Sequence, residues 1–589
     1  MKKTTYLILS LLVLGMTFTT TSCGDMLDQE SDHVIYTDKE HLNNATDTLY
    51  SVIGIMNKLQ VLSDRTVLLG ELRGDLVDIN NYTSADLREI ATFNISDDNV
   101  YNSPRDYYAV INNCNYFIAH ADTALKNNRN EYVFRREYAA VKAFRAWTYM
   151  QLVLNYGRVP LVTTPILTKD DADRKYEMAD IATICKYFAE DIAPYADERY
   201  PEYGTIRGND SRLFYFPIYL LMGELNLWAG NYREAALNYY KFLSTRNGQN
   251  RAFPMTAFSA QWSGDKFQSV YDNYTHDCFD NETLNSEMIT MIPGDSIPSE
   301  GNYSELRDIF SSTTRNQNHN LVEPSQQLKD LSASQIYCHL NDAQEIQYAP
   351  ADLTGLERGD LRLYSVYTRS SYIETGNNVI IDLNSEGWNN KKFSTRNVHL
   401  YRGSVVYLRL AEALNRAGFP RFAFAILKTG VNNNVIENDI MPYYPGEEAF
   451  LKQFDFSNTL YVLRTKANLT SQNTIGVHSR GCGWAELDDK YAFPDNEDTA
   501  SEQERLNYQI ETVENLIIDE DALETCFEGY RFHDLMRVAL RRNDPSYLAN
   551  KVYNRRGQQN AGEMKSLIKC DLNNTVNWYL KWNGKIGME

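Results

Sequence analysis

The sequence predicts a mainly α-helical protein, a scaffold of helical hairpins interrupted by a loop-rich insertion, and three observations lead there. Between residues 213 and 240, LFYFPIYLLMGELNLWAGNYREAALNYY sets Ile218, Leu221, Leu225 and Trp228 at steps of three and four. Gly230 marks a stop, and Tyr232, Ala235, Ala236 and Tyr239 form a second stripe whose small residues let two helix axes approach closely. Comparable stripes recur along most of the chain. Between 246 and 400, however, the helical period fades and Asn, Ser, Thr and Gly alternate with isolated aromatics. Apolar residues stay frequent enough there for ordered loops and short strands rather than disorder.

At 589 residues the chain is long for one hydrophobic core, which predicts two lobes or a helical array with a large insertion. Aromatic residues make up 12% of it, 41 of them Tyr, and such rings suit carbohydrate surfaces as well as helix packing. The formal charge is −20. A surface of that sign repels polyanions and no basic stripe offsets it, so nucleic-acid binding is excluded.

Taken in order, residues 1–22 have the layout of a secretory signal: Lys2 and Lys3, an apolar run from Tyr6 to Met16, then small polar residues. The run is too short to span a bilayer as a mature helix. Residues 23–39 form a polar tether carrying Asp25, Asp28, Glu30 and Asp32. Residues 40–245 read as the first part of the scaffold. Its helices are expected at 40–60, 68–79, 106–126, within 131–165 on the stripe Phe134, Tyr138, Val141 and Phe144, at 178–194, and in the hairpin described above. Gly157 ends the long helix and Pro160 prevents its resumption. On the 68–79 helix Glu71, Asp75 and Asp78 share one face, which reads as a solvated acidic face before it reads as acid–base chemistry. The polar stretch 80–105 reads as loop. Residues 246–400 form the insertion, with a short strand at 378–383 (NVIIDL). Residues 401–589 form the second part of the scaffold, with helices at 403–418 and 421–430, a mixed section 432–510, and a helix pair over 519–542 around Gly529. The hairpins keep no fixed period, which fits a solenoid-like scaffold broken by insertions.

No HExxH, P-loop, GxSxG or EF-hand loop occurs, the nine His are dispersed, and GCGW at 481–484 has too few cysteines nearby for zinc. No cofactor and no metal are expected. With Cys23 set apart, the cysteines at 114, 185, 278, 338, 482, 526 and 570 are odd in number and scattered, so no disulfide framework is implied. Cys114, Cys185 and Cys526 sit in helical patterns as small core residues.

Several stretches carry resemblances. LWAGNYREAALNYY at 227–240 resembles a tetratricopeptide helix pair, a unit that needs stacked neighbours. Thr21 and Ser22 before Cys23 resemble a lipoprotein cleavage box, with Thr20 where Leu is usual. That implies lipidation of Cys23, and several acyl chains anchor stably where one does not. The acidic residues after it resemble an export signal to the outer face of the cell. TSCGDMLDQ at 21–29, FRAWTYMQLVLNYGRVPL at 144–161, ERGDLRL at 357–363, YLRLAEALNRAG at 407–418 and FEGYRFHDLMR at 527–537 together resemble the SusD-like (RagB/SusD) family of outer-membrane lipoproteins.

The resemblance implies four tetratricopeptide-like hairpins on one side, an irregular ligand-bearing side opposite, oligosaccharide capture at the cell surface, and delivery to a SusC-like TonB-dependent outer-membrane transporter, without catalysis. It also implies that Arg145, Glu412, Arg531 and Asp534 are buried or helix-end polar anchors. Tyr530 departs from the family's common charged residue, and Met536 and Val538 stand in a tail that is often Arg and Trp. Ligand residues vary within the family, so the candidates come from the residues themselves: Asn81, Tyr82 and Tyr101 in the 80–105 loop, and Trp262, Tyr274 and Trp388 in the insertion. One sugar ring on one aromatic removes on the order of 100 Å² of apolar surface, roughly 2.5 kcal/mol. Association costs about 4–15 kcal/mol, so two or three platforms with polar groups between them are needed. The same scaffold also suits a RagB-like oligopeptide carrier. A helical surface glycosidase would need two carboxylates about 5–9.5 Å apart, and a tetratricopeptide adaptor would lack exposed aromatic loops.

Overall fold

The computed structural model describes residues 45–206, 208–245, 259–263, 266–271, 278–279, 287–294, 303–341, 343, 345–350, 352–375, 378–456, 463–464, 474–495 and 501–582. The scaffold helices are α1 (Ala45–Glu71), α2 (Pro104–His120), α3 (Arg135–Tyr156), α4 (Ile181–Ile192), α5 (Ile218–Ala229), α6 (Tyr232–Ser244), α7 (Gly403–Arg416), α8 (Pro420–Leu427), α9 (Glu502–Thr525), α10 (Arg531–Arg542) and α11 (Pro545–Tyr553). Each packs on the next in chain order from α1 to α8; α7 and α8 both pack on α9, α9 on α10, and α10 on α11 and back on α1. The step from α6 to α7 spans the insertion, so the array is continuous in space where the sequence is not.

The hairpin at 213–240 forms as its stripes require. α5 ends at Gly230, whose φ of 81° is left-handed, and Ala235, Ala236 and Tyr239 of α6 are buried. The phenol of Tyr239 donates to Glu224 on α5 at 2.7 Å. Long α3 ends at Gly157 as expected.

The first two expected helices are one. α1 runs unbroken to Glu71 because Leu59, Leu62, Val67, Leu68 and Leu69 carry its buried stripe through the polar 63–66 segment. The polar residues there find partners: the Ser63 hydroxyl donates to the Gln60 carbonyl, and Arg65 donates to Asp106 and to the carbonyls of Val100 and Ser103. Past Glu71 the chain turns instead of continuing to 79, and Val77–Ile79 is strand β1. Glu71, Asp75 and Asp78 are therefore not a solvated face. All three are buried. Glu71 accepts the Gly529 N–H at 2.8 Å, Asp75 takes both ends of the Arg531 guanidinium at 2.5 and 2.9 Å, and Asp78 accepts Arg556 Nε at 2.8 Å.

The C-terminal segment closes over the same end of α1. Arg555 donates to the Leu72 carbonyl at 2.7 Å and to that of Ala91 at 3.1 Å, and Arg73 donates to the Trp578 carbonyl at 3.0 Å. The expected 80–105 loop holds one short helix, Ala85–Ala91, which buries Leu87, Ile90 and Ala91.

Short antiparallel pairs carry the rest. β2 (Met288–Ile292) pairs with β8 (Val398–Arg402), and β1 with β3 (Val322–Pro324). β4 (Tyr367–Arg369) pairs with β7 (Trp388–Asn390), and β5 (Ser371–Thr375) with β6 (Asn378–Asp382), the strand expected at NVIIDL.

Buried ion pairs fasten these pieces to the scaffold. Arg362 reaches Glu520 at 2.7 Å and Glu524 at 3.0 Å; Arg402 and Arg480 also bind Glu524, and Lys392 binds Glu528 and the Glu524 carbonyl. An unpaired charge at such depth costs several kcal/mol. Burial pushes the Glu524 carboxyl upward, but Arg480, Arg402 and Arg362 together hold it well below the usual range.

The four expected polar anchors are buried and paired. Arg145 donates to Asn115 and Asp191, each at 2.9 Å; Glu412 receives Arg537 and Arg416; Asp534 receives Arg409 and Arg537; Arg531 holds Asp75. Cys114, Cys185 and Cys526 are buried free thiols. Among the described residues, no helix is long and apolar enough to cross a membrane.

Candidate functional site

Three-residue β4 and β7 build the site through their register. Arg369 lies opposite Trp388 and Tyr367 opposite Asn390, so Tyr367, Arg369 and Trp388 share one face. The Trp388 indole is parallel to the Tyr367 ring, with centroids 4.8 Å apart and planes 2° from coplanar. The Arg369 guanidinium sits 4.8 Å from the indole centroid. Both strands are held from behind. β4 continues from the Leu361–Val366 helix that carries Arg362, and Lys392 is the second residue past β7, so Glu520 of α9 and Glu528 in the turn after it, which bind these two cations, brace the aromatic pair.

This face lines a cleft of about 610 Å³ together with Thr354, Leu356, Glu357, Tyr364, Ser365, Thr368 and Lys391. A few polar groups around an aromatic wall is the usual make-up of a small-ligand site. Burial pushes the Tyr367 phenol above its usual range, so it stays a neutral donor and acceptor. Glu357 is the one carboxylate lining the cleft among the described residues.

The 80–83 loop adjoins this wall. Asn320 donates to the Tyr367 hydroxyl at 3.4 Å, and its own carbonyl accepts from Asn80 at 3.0 Å. Next to it the Tyr82 ring stacks on His319, centroids 3.8 Å apart, while Tyr82 remains 55% exposed. Asn81 is exposed beside it.

Of the residues singled out in the sequence, Trp388 lines the cleft, while Asn81 and Tyr82 are exposed on the 80–83 loop, which is tied to Tyr367 through Asn80 and Asn320. Tyr101 is half-buried against the core, and burial first, then the charges of Glu305 and Asp64, raises its phenol. Trp262 stands on the strand Ser259–Ser263, and its side chain lies outside the described residues, as do Tyr274 and Cys23 altogether. Tyr364, Tyr367, Arg369 and Lys391 were not anticipated. Their signal was the cluster YSVYTR directly after ERGDLRL.

A second hollow lies inside the scaffold, bounded by Glu224, Arg409, His533 and Asp534, with a volume of about 30 Å³. That admits one water and no sugar.

Solved structures fit this architecture. A SusD superfamily protein of Bacteroides vulgatus ATCC 8482 superposes with a TM-score of 0.52 at 15% identity, over 91% of this chain and 95% of its own. The chain has the SusD-like fold. A second SusD superfamily protein, from Bacteroides thetaiotaomicron VPI-5482, matches at a TM-score of 0.50 and 14% identity, over 91% of this chain and all of its own. Another Bacteroides vulgatus ATCC 8482 protein, provisionally described as sugar-binding, matches at a TM-score of 0.50 and 14% identity, over 85% of this chain and 88% of its own. No protein-family model and no curated protein matches the sequence. The tetratricopeptide-like hairpins of the sequence correspond to the helical array of this SusD-like fold, and the cleft at Trp388 lies in residues 354–391 of the insertion.

Proposed function

We propose that the chain is a non-catalytic lipoprotein of the outer cell surface that captures an oligosaccharide and passes it to a partner TonB-dependent transporter. The observation that carries this reading is the cleft at Trp388. It is large enough for more than one sugar ring, it is walled by a stacked Trp–Tyr pair, and hydroxyls of Thr354, Tyr364, Ser365 and Thr368 surround it. Aromatic faces take the apolar side of a sugar while hydroxyls and charged groups bind its edges. Tyr82 adds an exposed aromatic on the neighbouring 80–83 loop. Among the described residues that line the cleft Glu357 is the one carboxylate, and the nearby Glu386 is held by Arg369. The lipoprotein anchor at Cys23 and the transporter partner rest on the sequence resemblance.

The test is calorimetric titration of the chain from Gly24 onward against panels of oligosaccharides and oligopeptides, with the products examined for cleavage. An intact oligosaccharide is expected to bind. Trp388→Ala is expected to weaken it about tenfold or more, since a lost aromatic face removes roughly 1.5–3 kcal/mol. Binding of peptides alone, or cleavage of any ligand, would defeat the proposal.

A further inference from the structure

Among the described residues that line the cleft, Arg369 combines an exposed ion pair with a place on an aromatic ring. It stands in the cleft wall against an indole, it is 57% exposed, and its ion-pair partner is Glu386, whose side chain is 95% exposed. Both hydrogen bonds to Glu386, at 2.7 Å to the carboxylate and 3.2 Å to the carbonyl, are donated by Nη1, so Nε and Nη2 keep donor capacity. An exposed pair of this kind contributes little to stability, and exchanging its carboxylate for another costs correspondingly little. A guanidinium lying on an aromatic face can still offer its edge to a carboxylate in the two-pronged geometry that favours Arg.

We infer that this cleft selects a carboxylate-bearing sugar, such as a uronic acid unit, whose carboxylate takes the place of Glu386 on Arg369 while its ring lies along the Trp388 wall. The inference rests on the glycan-capture reading and deepens it. Glu386 acts as an internal stand-in for the ligand's own acid group, occupying Arg369 in the empty cleft and released on binding.

The experiment is calorimetry on matched pairs of probes that differ in charge alone or in one acidic unit: oligogalacturonate with its methyl ester, glucuronoxylan oligosaccharides with their carboxyl-reduced form, and sialyllactose with lactose. In at least one pair the acidic member is expected to bind roughly ten- to a hundredfold more tightly than its neutral counterpart, the scale of a hydrogen bond to a charged group. Arg369→Gln is expected to erase that difference. Glu386→Gln, which removes the competing carboxylate at a fully exposed position, is expected to tighten the acidic member. A purely structural role for the pair would produce no such gain. If both members of every bound pair bind alike, or the preference survives Arg369→Gln, the carboxylate inference is overturned and glycan capture stands. If no sugar binds, or acidic peptides bind instead, both readings fall together.

Discussion

The Glu71 carboxyl is enclosed at the end of α1, and burial raises it to about 7 against the hydrogen bond from Gly529. Its unfolded value is near 4.5. The fold therefore favours the protonated form, and the associated stability is complete below about 4.5 and lost as pH rises through about 7. Glu374 has the opposite sign. Although burial opposes it, Arg307, Arg396 and Arg315 lower its carboxyl to about 2, so its contribution is present above about 4.5 and lost as pH falls toward 2. Thermal melts of Glu71→Gln and the parent chain should coincide near pH 4, and the variant should melt higher at pH 8, by roughly 1–3 kcal/mol of stability. Equal melting at both pH values would refute the burial argument. Residues of this kind separate what the sequence discloses from what it withholds. Arg145, Glu412, Arg531 and Asp534 were legible as anchors because they stand in segments of recognisable pattern. Glu71, Asp75 and Asp78 looked solvent-facing because their partners Gly529, Arg531 and Arg556 lie more than 450 residues further on.

At the level of elements, α1 and the turn before α10 approach backbone to backbone. A Cβ on Gly70 would stand 1.7 Å from the Gly529 carbonyl oxygen, backbone that cannot move aside without shifting a whole helix pair. Gly70→Ala is therefore expected to destabilise by more than about 3 kcal/mol, at the severe end for point changes. A denaturant midpoint indistinguishable from the parent would show that the two elements are not packed this closely. Most helices of three turns or more were readable from their period, and the NVIIDL strand from its β-branched run; α9 was the exception, since it begins at Glu502, inside the section expected to be mixed and well before the expected 519, because its first turns are almost wholly polar and exposed. The helix at 85–91 was not readable, because seven residues in a polar stretch show too little of a 3.6-residue repeat. β4 and β7 are shorter still. Trp388 could be named as an exposed-loop aromatic, but three-residue strands carry no periodicity, so their register, and with it Tyr367 and Arg369, emerges only from the folded pairing.

On the scale of the whole molecule, the buried cations Arg362, Lys392, Arg402 and Arg480 converge on Glu520 and Glu524 of α9 and on Glu528 in the turn after it, which makes this helix end the common footing of the insertion and the scaffold. The proposed ligand wall is thus braced from behind, a pre-organised arrangement that would lower the ordering cost of binding. The proposed attachment to the membrane belongs to this scale as well. Cys23→Ala is expected to leave the exported protein in the soluble periplasmic fraction while the parent sediments with outer membranes. Membrane retention of the variant would contradict lipid anchoring. The closure of the array on itself has a consequence for the speed of folding. Arg73 and the backbone around Leu72 take their partners from Trp578 and Arg555, 505 and 483 residues along the chain. Contacts of such sequence separation cost loop-closure entropy before they return any stability, so the end of α1 is expected to be among the slower parts of the molecule to consolidate.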